Sequence, residues 1–250
     1  WAALRRHTPA RIALGRSGVG LPTQALLRFA AAHAQARDAV QVALDVPALQ
    51  IALVDAGWPN QLVHSRAPDR STYLRRPDLG RRLAPASADA LQATARGPVD
   101  LAIVLGDGLS ALALQRHALP VLQALHTALA GRLSLAPPII ASQARVALGD
   151  EIGALLQARL VLVLLGERPG LSAPDSLGAY LTHAPRLGCH DAQRNCVSNI
   201  RPTGLAPALA AQRLAWLATE ALRRHLTGVG LKDDSMQQLL GPDDTQPCTA

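Results

Sequence analysis

Three short loops carry the residue types best able to do chemistry in this chain. They are Gly106-Asp107-Gly108-Leu109-Ser110, Gly166-Glu167-Arg168-Pro169-Gly170-Leu171 and Cys196-Val197-Ser198-Asn199-Ile200-Arg201-Pro202. Each is read as following an apolar strand, so on an α/β sheet all three could meet at one rim. Glycine and proline also punctuate ordinary strand ends, so turn chemistry alone would explain each loop. Glu167 stands out, because the chain has only three glutamates (Glu151, Glu167, Glu220) and this one directly follows the most apolar strand. By itself it reads as a turn carboxylate paired with Arg168. Cys196 by itself reads as a small buried hydrophobe, and Val146 as a core residue.

Several familiar chemistries fail on detail. Gly15-Arg16-Ser17-Gly18-Val19-Gly20 has its glycines in the wrong order for a dinucleotide loop, and the only lysine, Lys232, follows no phosphate-binding glycine loop. Gly108-Leu109-Ser110-Ala111-Leu112 lacks the second glycine of a nucleophile elbow, which leaves Ser110 as a helix N-terminal hydroxyl. The eight histidines are dispersed and Cys189, Cys196 and Cys248 form no C-x-x-C pair, so neither a metal site nor a disulfide framework is expected. Three cysteines of this kind suit a reducing cytoplasm.

The elements that would position these loops are legible as rhythm. Helical spacing runs from Pro22 to about Leu44, and Ala84 to Arg96 reads as a further helix. Between them, Tyr73 to Leu83 reads as an extended piece entering a short helix at Pro77. Gly97-Pro98 closes this part. Val99 to Leu105 is then an apolar strand, followed by a helix from Leu109 to about Leu129. A strand region from Pro138 to Val146 comes next, and Asp150-Glu151-Ile152 opens a helix with acids at the positive end of its dipole. Arg159 to Leu165 is a third apolar strand, and a last helix spans Pro207 to Leu226. Strands without polar alternation are those covered on both faces. The expected fold is therefore α/β: a Rossmann-like, doubly wound, mainly parallel sheet domain over residues 98–232. A mostly helical N-terminal region, residues 1–97, precedes it, and a polar tail, residues 233–250, follows.

Composition removes whole classes. The 250 residues are 49% apolar, enough for a core without staples, and no apolar run approaches a bilayer span. The formal charge is +7, which invites a nucleic-acid reading, yet six scattered aromatics give no stacking platform. Residues 1–100 carry +6 of that charge, so docking to an acidic protein surface is an equal candidate. The chain starts at Trp1 without a signal-peptide pattern, and an N-terminal stretch is expected to precede it.

Taken together, the segments resemble the small (light) subunit of ethanolamine ammonia-lyase. The matching stretches begin with Ala10 to Gly18, Thr23 to Phe29 and Tyr73 to Leu83. They continue with Asp107-Gly108-Leu109-Ser110, Arg145-Val146 leading into Asp150-Glu151-Ile152-Gly153, and Gly166 to Leu171. Asp175-Ser176-Leu177, Ala184-Pro185-Arg186 and Asn195 to Ile200 complete them, all in family order. The resemblance implies an adenosylcobalamin-dependent lyase, with cobalt inside the corrin, that deaminates ethanolamine by radical chemistry to acetaldehyde and ammonia. It implies a hetero-oligomer in which a large subunit, a β/α barrel, binds ethanolamine and holds the catalytic residues. This chain would contact the cofactor through Val146, Glu167 and Cys196. A corrin edge suits such a set: an apolar wall, an acceptor for amide N–H groups and exposed loop backbone. The cytoplasm, or a bacterial microcompartment within it, is the implied place, with neither a membrane nor a nucleic-acid partner. The N-terminal charge would then serve docking to the large subunit. The rival is a non-catalytic α/β binding module that uses its arginines on a phosphorylated ligand.

Overall fold

In the computed structural model, residues 1–8 and 10–235 are described. A short helix α1 (Ala2–Arg5) leads through a bridged turn at Ser17 and Gly20 to α2 (Thr23–Gln41) and α3 (Val46–Asp55). Strand β1 (Gln61–His64), α4 (Arg70–Arg75) and α5 (Pro85–Thr94) follow. Then come β2 (Val99–Gly106), α6 (Ala111–Leu129), β3 (Ile139–Ser142), α7 (Leu148–Leu155) and β4 (Ala158–Gly166). The described chain closes with β5 (Leu177–His183), β6 (Arg194–Ile200) and α8 (Pro207–Arg224).

The unbroken apolar runs of β2 and β4 form the centre of one six-stranded sheet, ordered β1-β3-β2-β4-β5-β6. On β2 the large side chains Leu101, Ile103 and Leu105 face α6 and α8, while Ala102 and Val104 face α5 and α7. Both faces are covered, which is why this strand needs no polar alternation. The neighbouring strands β1, β3, β2 and β4 run parallel, and β5 and β6 are added antiparallel. The fold is α/β, with a mixed sheet.

Among the described helices of residues 1–97 lies one strand, β1, which pairs with β3 from Gln61↔Ile139 to His64↔Ser142 and extends the sheet across Gly97-Pro98. Two expectations change. Tyr73 to Arg75, expected to be extended, are the second half of helix α4, which Asp69 caps by accepting from Thr72 N–H at 2.7 Å. Cys196 to Ile200 are strand β6 rather than a loop. The tail expected at 233–250 lies outside the described residues from position 236 onward.

The connections fix where a ligand can enter. From β2 the chain runs through α6 on one face out to β3, then back through α7 on the other face to β4, so the carboxyl ends of the adjacent strands β2 and β4 bound the switch point of the sheet. The ends of β2 and β3, by contrast, are stitched: the buried Asp107 after β2 accepts from the N–H groups of Gln143 and Ala144 after β3, both at 2.9 Å. Burial pushes the Asp107 carboxyl above its ordinary value, against the pull of these two donors. The opening lies at the switch point, over the carboxyl ends of β2, β3 and β4 and beside the antiparallel hairpin.

Candidate functional site

A cleft of about 860 Å³ opens on the α7 side of the sheet. Val146 reaches it from the turn that enters α7, and Glu167 reaches it from the residue just after β4. Leu165, Leu109 and Tyr180 add apolar and aromatic wall. The structure thus brings Val146 and Glu167 into one concavity. Cys196 is not part of its lining. It lies mid-strand on β6, exposed, paired in register with the lining residue Tyr180. Burial first, and then the nearby Glu167 charge, push the Cys196 thiol above its usual range, so Cys196 lies within electrostatic reach of Glu167 although it is not part of the wall.

Glu167 is held in place rather than left to sample. Its N–H donates to Ser176 O at 2.9 Å, and its Oε2 accepts from the Ser176 hydroxyl and from Asn199 N–H at 3.2 Å. Neither side-chain bond uses Oε1. Gly178 has no side chain in the way: a Cβ there would sit 3.0 Å from Oε1 and 3.1 Å from the Glu167 Cγ. No ion pair to Arg168 forms; serine and backbone donors take that place.

The floor of the cleft is an ion pair. Arg194 donates from Nη1 to Asp150 Oδ1 at 2.6 Å and from Nη2 to Oδ2 at 2.7 Å, with further bonds to Thr182 Oγ1 and Cys189 O. Both side chains are almost fully buried, at 3% and 2% exposure. The pair ties the first turn of α7 to β6. Tyr73, 1% exposed, donates to Ala144 O at 3.0 Å, and burial pushes its hydroxyl up to about 12.

The loop Gly106 to Ser110 has structural duties. Ser110 caps α6 by accepting from Ala113 N–H, and its hydroxyl donates to Pro174 O at 2.8 Å. His183 ends β5 and meets His225 edge-on at 5.9 Å. Among the described residues no group of three or more His, Cys, Asp or Glu side chains could hold a metal ion. Tyr73, Tyr180, Asp150 and Arg194 were not singled out as site residues by the sequence. One signal was available: the chain has two tyrosines, and both line this cleft.

The Ethanolamine ammonia-lyase light chain (EutC) family model matches residues 1–232. The chain belongs to that family. It is 56% identical over 247 residues to the "Ethanolamine ammonia-lyase small subunit" of Xanthomonas campestris pv. campestris, covering 97% of this chain and 91% of that protein. The protein of the same name from Azotobacter vinelandii is 58% identical, with coverage of 94% and 88%. That from Pseudomonas syringae pv. tomato is 54% identical, with coverage of 98% and 87%. The family match spans every element described above, including the hairpin β5–β6 that the rhythm of the sequence did not reveal. No described helix is long and apolar enough to cross a membrane.

Proposed function

We propose that this chain is the cofactor-contacting small subunit of an ethanolamine ammonia-lyase, working with a large subunit that binds ethanolamine. The parallel strands with α6 and α7 on opposite faces are, on this reading, a Rossmann-like half to which the hairpin β5–β6 adds a wall. The observation that carries the cofactor assignment is the convergence of Val146 and Glu167 on one cleft beside an open sheet face. On β6, Cys196 and Ser198 are exposed, whereas Val197 between them is buried. A sheet face left open next to a large cleft is suited to a ligand and a partner subunit lying over it.

The residues fit a corrin. Adenosylcobalamin, when bound, supplies the cobalt–carbon bond whose homolysis starts radical deamination. This chain's part is to bind and orient. Val146 gives an apolar contact, Glu167 offers Oε1 to an amide N–H, and Cys196 packs at the edge through Tyr180. Catalytic groups are assigned to the large subunit, and the complex is assigned to the cytoplasm or a microcompartment within it.

The test is co-purification with the large subunit, followed by a visible absorption spectrum and an assay for acetaldehyde release that depends on cobalamin. A complex that holds no corrinoid and releases no acetaldehyde overturns the assignment. Within it, Glu167→Ala should raise the cobalamin dissociation constant roughly tenfold, as for loss of one charge-assisted hydrogen bond, and leave the subunit complex intact. Unchanged affinity would remove Glu167 from the contact set.

A further inference from the structure

The cleft has a cationic rim that neither Val146 nor Glu167 explains. Arg81, Arg82, Arg145, Arg168 and Arg194 line it against Asp150, Glu167 and Asp191. Arg194 is held by Asp150 and approached by Asp191 at 3.4 Å, so it is neutralised. Arg82 pairs with Glu151 at 3.1 Å. Glu167 takes its donors from Ser176 and Asn199. Arg81, Arg145 and Arg168 are left without a carboxylate among the described residues.

Arg145 is also built into place. Its guanidinium stacks 4.6 Å over the ring of Tyr73, and Nη2 donates to Tyr73 O at 3.0 Å. Its Nε is buried with no partner. Its backbone N–H donates to Gly80 O at 2.9 Å. Gly80 is seated so tightly that a Cβ there would lie 3.0 Å from the Tyr73 ring and 3.1 Å from Arg145 Cγ. This packing sets the backbone that leads into Arg81 against Arg145, and both arginines line the cleft. Arg168 approaches from the other strand end. Each lining residue assigned to the corrin therefore has an arginine as its chain neighbour: Arg145 precedes Val146 and Arg168 follows Glu167. Nε is out of reach behind this packing, but Nη1 of the same locked guanidinium makes no bond within the described residues and is free to meet an acceptor from outside the chain. Several guanidinium groups without carboxylate partners along one cleft favour an anionic oxygen cluster, above all a phosphate, because their planar forks match its geometry.

We propose that Arg81, Arg145 and Arg168 hold the phosphodiester of the cofactor's nucleotide loop. This rests on the cobalamin reading above. The corrin periphery offers an apolar edge to Val146 and an amide N–H to Glu167, whereas the phosphodiester is the anionic group of the nucleotide loop. The arginine rim and the Glu167 side then recognise different parts of one ligand. The arrangement also moves part of the N-terminal charge. Arg81 and Arg82 belong to residues 1–97, which the sequence assigned to docking, yet both line the cleft.

The two parts can be separated with two corrinoids. Adenosylcobinamide keeps the corrin and the adenosyl group but lacks the nucleotide loop and its phosphodiester. The complex with the large subunit is titrated with adenosylcobalamin and with adenosylcobinamide, and binding is followed by visible absorbance. Wild type is compared with Arg81→Gln, Arg168→Gln and Arg145→Gln. Each substitution should raise the dissociation constant for adenosylcobalamin about tenfold and leave that for adenosylcobinamide unchanged. Added salt should weaken adenosylcobalamin binding more in wild type than in the variants. Arg81 and Arg168 are exposed, so their variants keep the test decisive even if Arg145→Gln loosens the packing on Tyr73. Equal losses for both corrinoids, or no loss for adenosylcobalamin, overturn the arginine assignment while the cobalamin reading stands. A wild-type complex that binds neither corrinoid overturns both.

Discussion

Arg194 has almost no exposed surface, and both of its η nitrogens lie within 2.7 Å of an Asp150 oxygen. Taking two charges out of water is costly, and the pair holds because each remaining donor also has an acceptor, Thr182 and the Cys189 carbonyl. Removing one partner leaves a lone buried charge. Asp150→Ala should lower the unfolding free energy by about 3–5 kcal/mol, read from denaturant unfolding. Arg194→Met combined with Asp150→Leu should recover much of that loss, because an apolar pair of similar volume needs no desolvation; a double variant as unstable as the single one would refute the argument. The pair was not legible in the sequence, since its members are 44 residues apart and Arg194 sits in a polar-looking run. Glu167 was legible as unusual by its rarity, but its partners were not. The adjacent Arg168 was the natural guess, and the fold supplies Ser176 and Asn199 instead.

At the scale of elements, α7 decides where Val146 stands. It rests on β4 through two glycines. A Cβ at Gly149 would lie 2.3 Å from Val163 Cγ2, and one at Gly153 would lie 2.5 Å from Pro185 Cγ. Val163 is β-branched and buried, so it has little freedom to move aside. Gly149→Ala should therefore push α7 off the sheet and cost about 1–3 kcal/mol, seen as a lower unfolding midpoint. Val163→Ala in the same chain should restore part of the midpoint by opening the space; no restoration would mean that α7 is not seated by this contact. The strands under α7 were readable because full burial on both faces leaves an uninterrupted apolar run, as in Leu101 to Leu105 and Leu160 to Leu165. Strands β1, β5 and β6 were not readable. β1 has four residues, of which only Val63 is buried. On β6 the buried residues are Arg194, Val197 and Ile200, a spacing that a register shift in its pairing with β5 breaks out of simple alternation. The cleft wall contributed by this hairpin was invisible for the same reason.

Across the whole molecule, arginines that contribute to the +6 charge of residues 1–100 stand in more than one place. Arg81 and Arg82 line the cleft, while Arg75 and Arg76 lie on the exposed end of α4. Nearby in sequence, α2 is 19 residues long and buries only Ala39. It exposes Leu26 at 52%, Leu27 at 63% and Phe29 at 42%. A helix of this kind draws little stability from packing within its own chain, which suits a surface completed by a partner. On the proposed function that partner is the large subunit, and charge and apolar surface make separable contributions. Charge acts at long range and mainly on association rate, so Arg75→Glu with Arg76→Glu should slow assembly, with the difference from wild type shrinking as salt is raised. Apolar contact acts after docking and mainly on dissociation, so Leu27→Glu should shorten the lifetime of the complex with little salt dependence. Lys232→Glu, an exposed reversal outside residues 1–97, is the control and should alter neither rate. Association and dissociation measured on immobilised large subunit separate the two effects. If Arg75 and Arg76 reversal lowers cobalamin affinity while assembly is unchanged, those arginines belong with the cleft and not with the partner surface.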